Sequence, residues 1–112
     1  MPEEVTENNL DQQLFDELKN HLQITWDDSA TDNRLNTSIR NGKRFFNELC
    51  EFEFKFAEGS TERELLMERC RYDWNNALDE FKVNYKSDLS KLIMDIAILQ
   101  YEEAKANEQT NS

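Results

Sequence analysis

The chain is poor in the residues that interrupt regular structure. Its 112 residues include only two glycines, Gly42 and Gly59, and one proline, Pro2. A sandwich or barrel needs special backbone angles at each of its many turns, so this scarcity excludes a turn-rich β fold. Long apolar runs are also missing, and residues 1–20 lack the basic start and apolar core of a signal peptide. We therefore expect a protein made in the cytoplasm that does not span a membrane.

Positive charge is scarce as well. Thirteen basic side chains face 24 acidic ones, which gives a formal net charge of −11. Such a chain repels phosphate groups, which argues against a nonspecific binder of DNA or of anionic membranes. The apolar fraction of 38% is nevertheless too high for a disordered chain. The sequence therefore predicts one folded domain with a modest core.

Residues that could perform chemistry are few and scattered. His21 is the only histidine, and Cys50 and Cys70 are far apart, without the paired spacing of a metal or redox motif. We interpret both cysteines as reduced, buried thiols. The aspartates of residues 27–32 lack the glycine and glutamate that a calcium loop requires, and they favour a helix cap. With no phosphate-binding loop or nucleophile elbow, we predict no enzyme, no cofactor and no bound metal.

Apolar spacing with a period of 3.6 predicts about four helices. They cover residues 10–22, 29–49, 61–81 and 88–101, and capping-box spacings at Ser29 and Thr61 mark the start of the second and third. Gly42 falls inside the second helix, where glycine costs about 1 kcal/mol, so we interpret it as a site of close helix packing. The predicted core takes one stripe from each of the first three helices: Leu14, Leu18, Leu35, Ile39, Phe46, Leu66, Cys70, Trp74, Leu78 and Phe81.

Residues 51–57 have a different period. Phe52, Phe54 and Phe56 alternate with charged residues, which is typical of a short extended, β-like segment. A lone strand cannot satisfy its own backbone, so the segment pairs with another subunit, packs as an extended connector, or is irregular. We predict that these three phenylalanines, together with Phe45 and Tyr72, form contacts between subunits.

The last helix is apolar on nearly all sides. Leu89, Leu92 and Ile96 form one stripe, whereas Met94 and Ile98 belong to the opposite side. Since a chain of this length cannot surround its own last helix, part of that surface should contact another molecule. The sequence thus predicts an all-α protein, a small bundle of about four helices with a protruding C-terminal helix. We divide it into a polar tail (1–8), a helical core domain (9–86), a docking helix (87–105) and a second polar tail (106–112).

The order of these features resembles a known family. Residues 18–28, LKNHLQITWDD, are similar to the opening of the head–tail connector family of long-tailed bacteriophages. Residues 42–49 (GKRFFNEL) and 65–81 (LLMERCRYDWNNALDEF) continue the resemblance. It extends over about residues 14–101 and departs at Cys50-Glu51, where a small or glycine-containing turn is expected.

The resemblance implies a non-enzymatic virion protein, made in the host cytoplasm, that completes the head after DNA packaging. Members of the family form a ring under the portal, usually twelve-fold, and support the next tail-side connector or stopper. DNA passes through such a ring without being specifically bound. The family's C-terminal segment docks on the portal, which the resemblance transfers to these positions: Leu92, Ile93, Met94, Ile96, Ile98, Leu99 and Tyr101.

A second class of function remains open at this stage. The net charge of −11 also suits a small acidic phage-encoded regulator that mimics DNA or inhibits a basic partner. Such a protein acts as a monomer or dimer, and its binding weakens steeply with salt. Formation of a ring distinguishes the adaptor from the regulator.

Overall fold

A computed structural model describes residues 7–110, with side chains described for residues 9–108. In this range the chain forms five α-helices and no β-strand. They are α1 (Glu7–His21), α2 (Ser29–Cys50), α3 (Thr61–Trp74), α4 (Leu78–Asn84) and α5 (Lys86–Thr110). The prediction of an all-α protein is confirmed. Within the described range no helix combines the length and the hydropathy that crossing a membrane requires.

Helices α2 and α3 begin at side-chain caps. The Asp28 carboxylate accepts hydrogen bonds from the backbone N and the Oγ1 of Thr31, at 3.0 and 2.9 Å, and these bonds lower the pKa of Asp28. The Ser60 hydroxyl accepts from the backbone N of Arg63 at 3.3 Å. Both caps satisfy backbone N–H groups that have no partner in the first turn of a helix. Each lies one residue before the start that the sequence predicted.

The core lies where α1, α2 and α3 meet, and α4 and the first turns of α5 close it. Eight of the ten predicted core residues are buried, but Trp74 and Leu78 are only partly buried. The guanidinium of Arg34 lies 4.5 Å from the centre of the Trp74 ring and donates to the Trp74 carbonyl oxygen at 2.9 Å. Trp74 therefore lies at the edge of the core, under a charged side chain.

Gly42 permits the close contact between α2 and α3. A methyl group added at this position would overlap the Cδ1 of Leu66, which is fully buried. The side chain of Arg69 lies on the same spot, with Nη1 at 3.7 Å from the added carbon. The interpretation of Gly42 as a site of close helix packing is confirmed.

The predicted third helix is divided in two. α3 ends at Trp74, Asn76 adopts a left-handed backbone conformation with φ of 57°, and α4 begins at Leu78. Asparagine tolerates this conformation better than most residues, and the Asn75 side chain donates to the carbonyl oxygen of Arg71 at 3.0 Å. The turn redirects the chain so that Phe81 points into the core.

Residues 53–57 form no regular secondary structure, so the predicted extended segment is not confirmed as a strand. The alternation of phenylalanine and charged residues instead corresponds to alternate burial, because Phe54 and Phe56 are buried while Glu53 and Lys55 are exposed. Phe56 has a φ of 51°, a left-handed conformation that interrupts an extended backbone. The segment is therefore an irregular connector that packs its aromatic rings into its own subunit.

Helix α5 begins within the core and extends beyond it. Leu89 and Leu92 are buried, whereas residues 97–108 are all exposed. The radius of gyration is 16.3 Å, against about 13 Å for a compact chain of this length. Helical structure continues to Thr110, so much of the predicted polar tail 106–112 belongs to α5. Of the predicted tail 1–8, residues 7 and 8 belong to α1, and the rest lies outside the described residues.

Candidate protein-interaction surfaces

The side of α5 that faces away from the core is apolar and exposed. Met94, Ile98 and Tyr101 are 63%, 52% and 67% exposed. Their spacing of four and three residues places them on one side of the helix, roughly opposite the buried Leu92. We call Met94, Ile98 and Tyr101 the α5 outer face. Ile93, 39% exposed, lies beside this face, whereas Leu99, also 39% exposed, lies seven residues after Leu92 and on the same side of the helix as that residue.

The other side of α5 contacts its own subunit. Leu92 is buried and Ile96 is partly buried against the core. Farther along, the Gln100 side chain donates to the carbonyl oxygen of Glu51, just past the end of α2, at 3.2 Å. Of the seven residues predicted to dock on a portal, Leu92 is therefore corrected to a core residue. Five remain exposed, and Ile96 lies at the border.

The residues predicted for subunit contacts separate into two groups. Phe54 and Phe56 are buried in the subunit's own core, so neither is available to a neighbour, and their prediction is corrected. Phe45, Phe52 and Tyr72 are partly buried and pack against the core. The Tyr72 ring contacts the rings of Phe81 and Tyr85, with centroids 5.7 and 5.8 Å away. Only Phe45, Phe52 and Tyr72 keep accessible surface.

Two cationic side chains lie close to the ring of Phe45. The guanidinium of Arg69 lies 4.9 Å from the ring centre, and the Lys82 ammonium lies 5.8 Å from it. On its other side the ring contacts Phe46 edge-on at 5.0 Å, and Phe81 at 6.4 Å. Burial lowers the pKa of Arg69. Phe45 therefore mainly connects α2 with α3 and α4.

A groove runs along the outer side of α2. Its lining comes from this helix and its C-cap, from α1 and from the segment after α2, and comprises Asp11, Asn36, Ile39, Arg40, Lys43, Arg44, Asn47, Glu48, Glu51, Phe52 and Glu53. Residues 36–51 span about 22 Å along a helix. The cavity volume is 790 Å³. We call this feature the α2 groove. Its N-terminal half is basic and its C-terminal half is acidic.

Within the groove, the basic residues differ in how they are paired. Lys43 Nζ forms an ion pair with Asp11 at 3.1 Å. Arg44 donates only to the side-chain oxygen of Asn41, at 3.3 Å. Among the side chains that the structure describes, neither Arg40 nor Arg44 has a carboxylate within 4.0 Å. Two guanidinium groups in a strongly acidic chain are thus exposed and form no ion pair with the carboxylates of residues 9–108.

Glu68 joins three parts of the chain, namely the end of α1, helix α3 and the junction of α4 with α5. Its carboxylate accepts two hydrogen bonds from Arg71, at 2.9 and 3.0 Å, and one from the Tyr85 hydroxyl at 2.6 Å. The Nε2 of His21, at the end of α1, lies 2.9 Å from the same carboxylate. The bonds from Arg71, then those from Tyr85 and His21, lower the pKa of Glu68 to about 2. We call these four residues the Glu68 clasp. It fixes the start of α5 to α1 and α3.

A buried arginine fixes the irregular connector. The Nε of Arg63 lies 3.2 Å from the Glu17 carboxylate, and its Nη1 donates to the carbonyl oxygen of Phe56 at the same distance. Nearby, the Asn47 side-chain oxygen accepts from the backbone N of Phe54 at 2.9 Å. These bonds replace the ladder that a strand would have formed.

The groups with reactive side chains are enclosed or separated. Cys50 and Cys70 are free, buried thiols, as the sequence predicted, and burial raises the pKa of Cys70 to about 11. A thiol with that pKa stays protonated at neutral pH and is a weak nucleophile. Among the described residues, no group of three or more His, Cys, Asp and Glu side chains is arranged to hold a metal ion.

Comparison with known proteins gives no relative for this chain. No protein-family model, no curated protein and no solved structure matches it.

Proposed function

We propose that the protein is a structural adaptor of a bacteriophage virion, which forms a ring between the portal and the next tail-side connector or stopper. The α5 outer face is the observation that carries this proposal. An apolar stripe with Met94 and Tyr101 more than half exposed, on a helix that extends beyond its domain, is typical of a protein-binding surface. The resemblance of about residues 14–101 to head–tail connectors is our reason for proposing a portal as the partner.

In this proposal each part of α5 has its own task. The first turns, with Leu89 and Leu92, belong to the subunit core, and the Glu68 clasp fixes the base of the helix. The outer face then binds a groove on the portal as an amphipathic helix does, through residues spaced by three and four. A ring of such subunits, each with a net charge of −11, surrounds a channel that repels DNA.

The apolar character of α5 favours the adaptor over an acidic regulator. A DNA mimic binds its target through arrays of carboxylates, and its affinity falls steeply with salt. The α5 outer face carries no charge, and apolar contacts depend little on ionic strength. Portal binding that persists in high salt therefore supports the adaptor, whereas loss of binding in moderate salt supports the regulator.

The proposal is tested by binding to portal-bearing heads. Purified protein is mixed with emptied heads or with isolated portal, and the complex is sedimented and imaged by electron microscopy. We expect a ring of density under the portal. Absence of attachment by the unmodified protein would contradict the adaptor.

Substitutions separate docking from folding. Combined Met94→Ser, Ile98→Asn and Tyr101→Ser removes the outer face without touching the buried side of α5, and we expect attachment to fall at least about tenfold. The matched control is Trp26→Gln, which changes another large apolar residue that is half exposed and lies outside α5. Normal attachment of the triple variant would show that α5 is not the docking helix.

A further inference from the structure

The α2 groove and the outward side of α4 lie on opposite sides of the subunit. Phe45 is about 140° around α2 from Arg40. Its ring contacts Phe81 of α4, at 6.4 Å. Val83, two residues after Phe81, points away from that contact and is 73% exposed. A line from the groove through Phe45 and Phe81 therefore ends at the outward side of α4.

The outward side of α4 has the opposite order of charge to the groove. Asp79 and Glu80 lie in its first turn, Val83 follows one turn later, and Lys86 comes at the start of α5. All four residues are exposed, and none has an ion pair among the described side chains. We call these four residues the α4 ridge. It is acidic, then apolar, then basic along the chain.

Resting on the ring proposed above, we infer that the α4 ridge of one subunit occupies the α2 groove of the next. In a parallel arrangement, Asp79 and Glu80 meet the guanidinium groups of Arg40 and Arg44. Val83 packs toward the accessible part of Phe52, and Lys86 approaches the acidic half of the groove. Because the two surfaces are different and lie on opposite sides, the contact is heterologous, and repetition of it closes a ring or builds a filament.

Charge complementarity selects a second copy of this chain as the occupant. Among the described side chains Arg40 and Arg44 have no ion pair, and neither have Asp79 and Glu80, so the two guanidinium groups and the two adjacent carboxylates are complementary. The groove also contains Glu48, Glu51 and Glu53, which would repel a uniformly acidic partner. A ridge with both signs of charge, in the matching order, avoids that repulsion. Neither surface includes the α5 outer face, so subunit contact and portal docking use separate residues.

Charge exchange tests the contact. One variant carries Arg40→Glu and Arg44→Glu, and a second carries Asp79→Lys and Glu80→Lys. Each alone places like charges together, and we expect self-association in sedimentation velocity to weaken about tenfold or more. A mixture of the two variants presents matched charges at every contact, as does a single chain with all four substitutions. We expect both to recover the association of the unmodified protein.

The controls separate this inference from the proposed function. Circular dichroism establishes that each variant is folded, and Lys105→Glu reverses a charge outside both surfaces and should leave association unchanged. An unmodified protein that stays monomeric up to about 1 mM would overturn the inference, as would double variants that associate normally or a mixture that does not recover. The triple variant of the α5 outer face should still self-associate. A loss of portal docking can thus be distinguished from a loss of subunit contact, because the two depend on different residues.

Discussion

The two longest helices, α2 and α5, both bury apolar residues but differ in the side that they expose. α2 buries an apolar stripe that includes Leu35 and Phe46, and its outer side is the polar, charged groove. α5 buries Leu89 and Leu92 on one side but leaves Met94 and Tyr101 exposed on the other. The apolar stripe of an amphipathic helix such as α2 is buried within its own subunit. A helix with apolar residues on both sides, such as α5, buries one of these sides in its subunit and leaves the other exposed.

The largest expected effect is on the free energy of unfolding. It contrasts a buried apolar residue of α2 with an exposed apolar residue of α5. Phe46→Ala removes a fully buried ring, and we expect the free energy of unfolding to fall by about 3–5 kcal/mol. Met94→Ala in α5 should change it by less than about 0.5 kcal/mol, because Met94 is exposed. Urea denaturation measures both values. Equal losses would show that the outer face of α5 is part of the folding core.

The second prediction concerns the base of α5, which the Glu68 clasp fixes. The pKa of Glu68 is about 2 in the folded protein and 4.5 ordinarily. The clasp therefore contributes stability that is fully present above pH 4.5 and is lost as the pH falls toward 2. In Glu68→Gln this contribution is absent, so its unfolding free energy should decrease less steeply over that pH range than that of the unmodified protein.

Glu64→Gln is the matched control for this prediction, since Glu64 is an exposed carboxylate one turn earlier in α3. Its pH dependence should follow that of the unmodified protein. Thermal unfolding followed by circular dichroism between pH 2 and pH 6 gives the comparison. Parallel curves for the Glu68 variant and the unmodified protein would show that the clasp does not stabilise the base of α5.

The smallest expected effect concerns the close packing of α2 against α3 at Gly42. Gly42→Ala improves helix propensity by about 1 kcal/mol, but the added methyl group overlaps the buried Leu66. Overpacking of this kind costs about 1–3 kcal/mol, so we expect a net loss of about 0–2 kcal/mol. Gly42→Ala combined with Leu66→Ala should destabilise less than the sum of the two single changes, since the smaller side chain gives the methyl group room. A clearly stabilising single variant would mean that α2 and α3 are not closely packed at this point.

Most of the helices and of the core could be predicted from the sequence, because periodicity records which side of a helix is buried. Leu14, Leu18, Ile39 and Phe46 were identified in this way. The break between α3 and α4 was not, since Asn75-Asn76 contains no glycine or proline and the apolar stripe continues to Phe81. Trp74 lies on that stripe and was assigned to the core for the same reason.

The contacts that connect distant segments could not be predicted. The alternation of residues 52–56 agrees with alternate burial, but the left-handed conformation of Phe56 and the hydrogen bond from Arg63, seven residues away, to its carbonyl oxygen leave no local signal in the sequence. In the Glu68 clasp, Arg71 is a local i,i+3 partner, but His21 and Tyr85 are 47 and 17 residues away from Glu68. The pairing of Arg40 and Arg44 likewise depends on which carboxylates the fold places nearby. The α5 surface was accessible to sequence reasoning because a helix that is apolar on both sides needs no distant information.

The exposed end of α5 has a mechanical consequence. Past Gln100, whose side chain donates to the carbonyl oxygen of Glu51 at the end of α2, residues 101–105 are all exposed and extend about 8 Å along the helix. This exposed part is continuous with the helical turns that contain Leu89 and Leu92. A sideways load on Tyr101 is transmitted as a torque to Leu92 and Leu89, inside the core. A partner that binds the α5 outer face is therefore connected through the helix to the folded domain. A force on that contact is resisted by the packing of the subunit's own core.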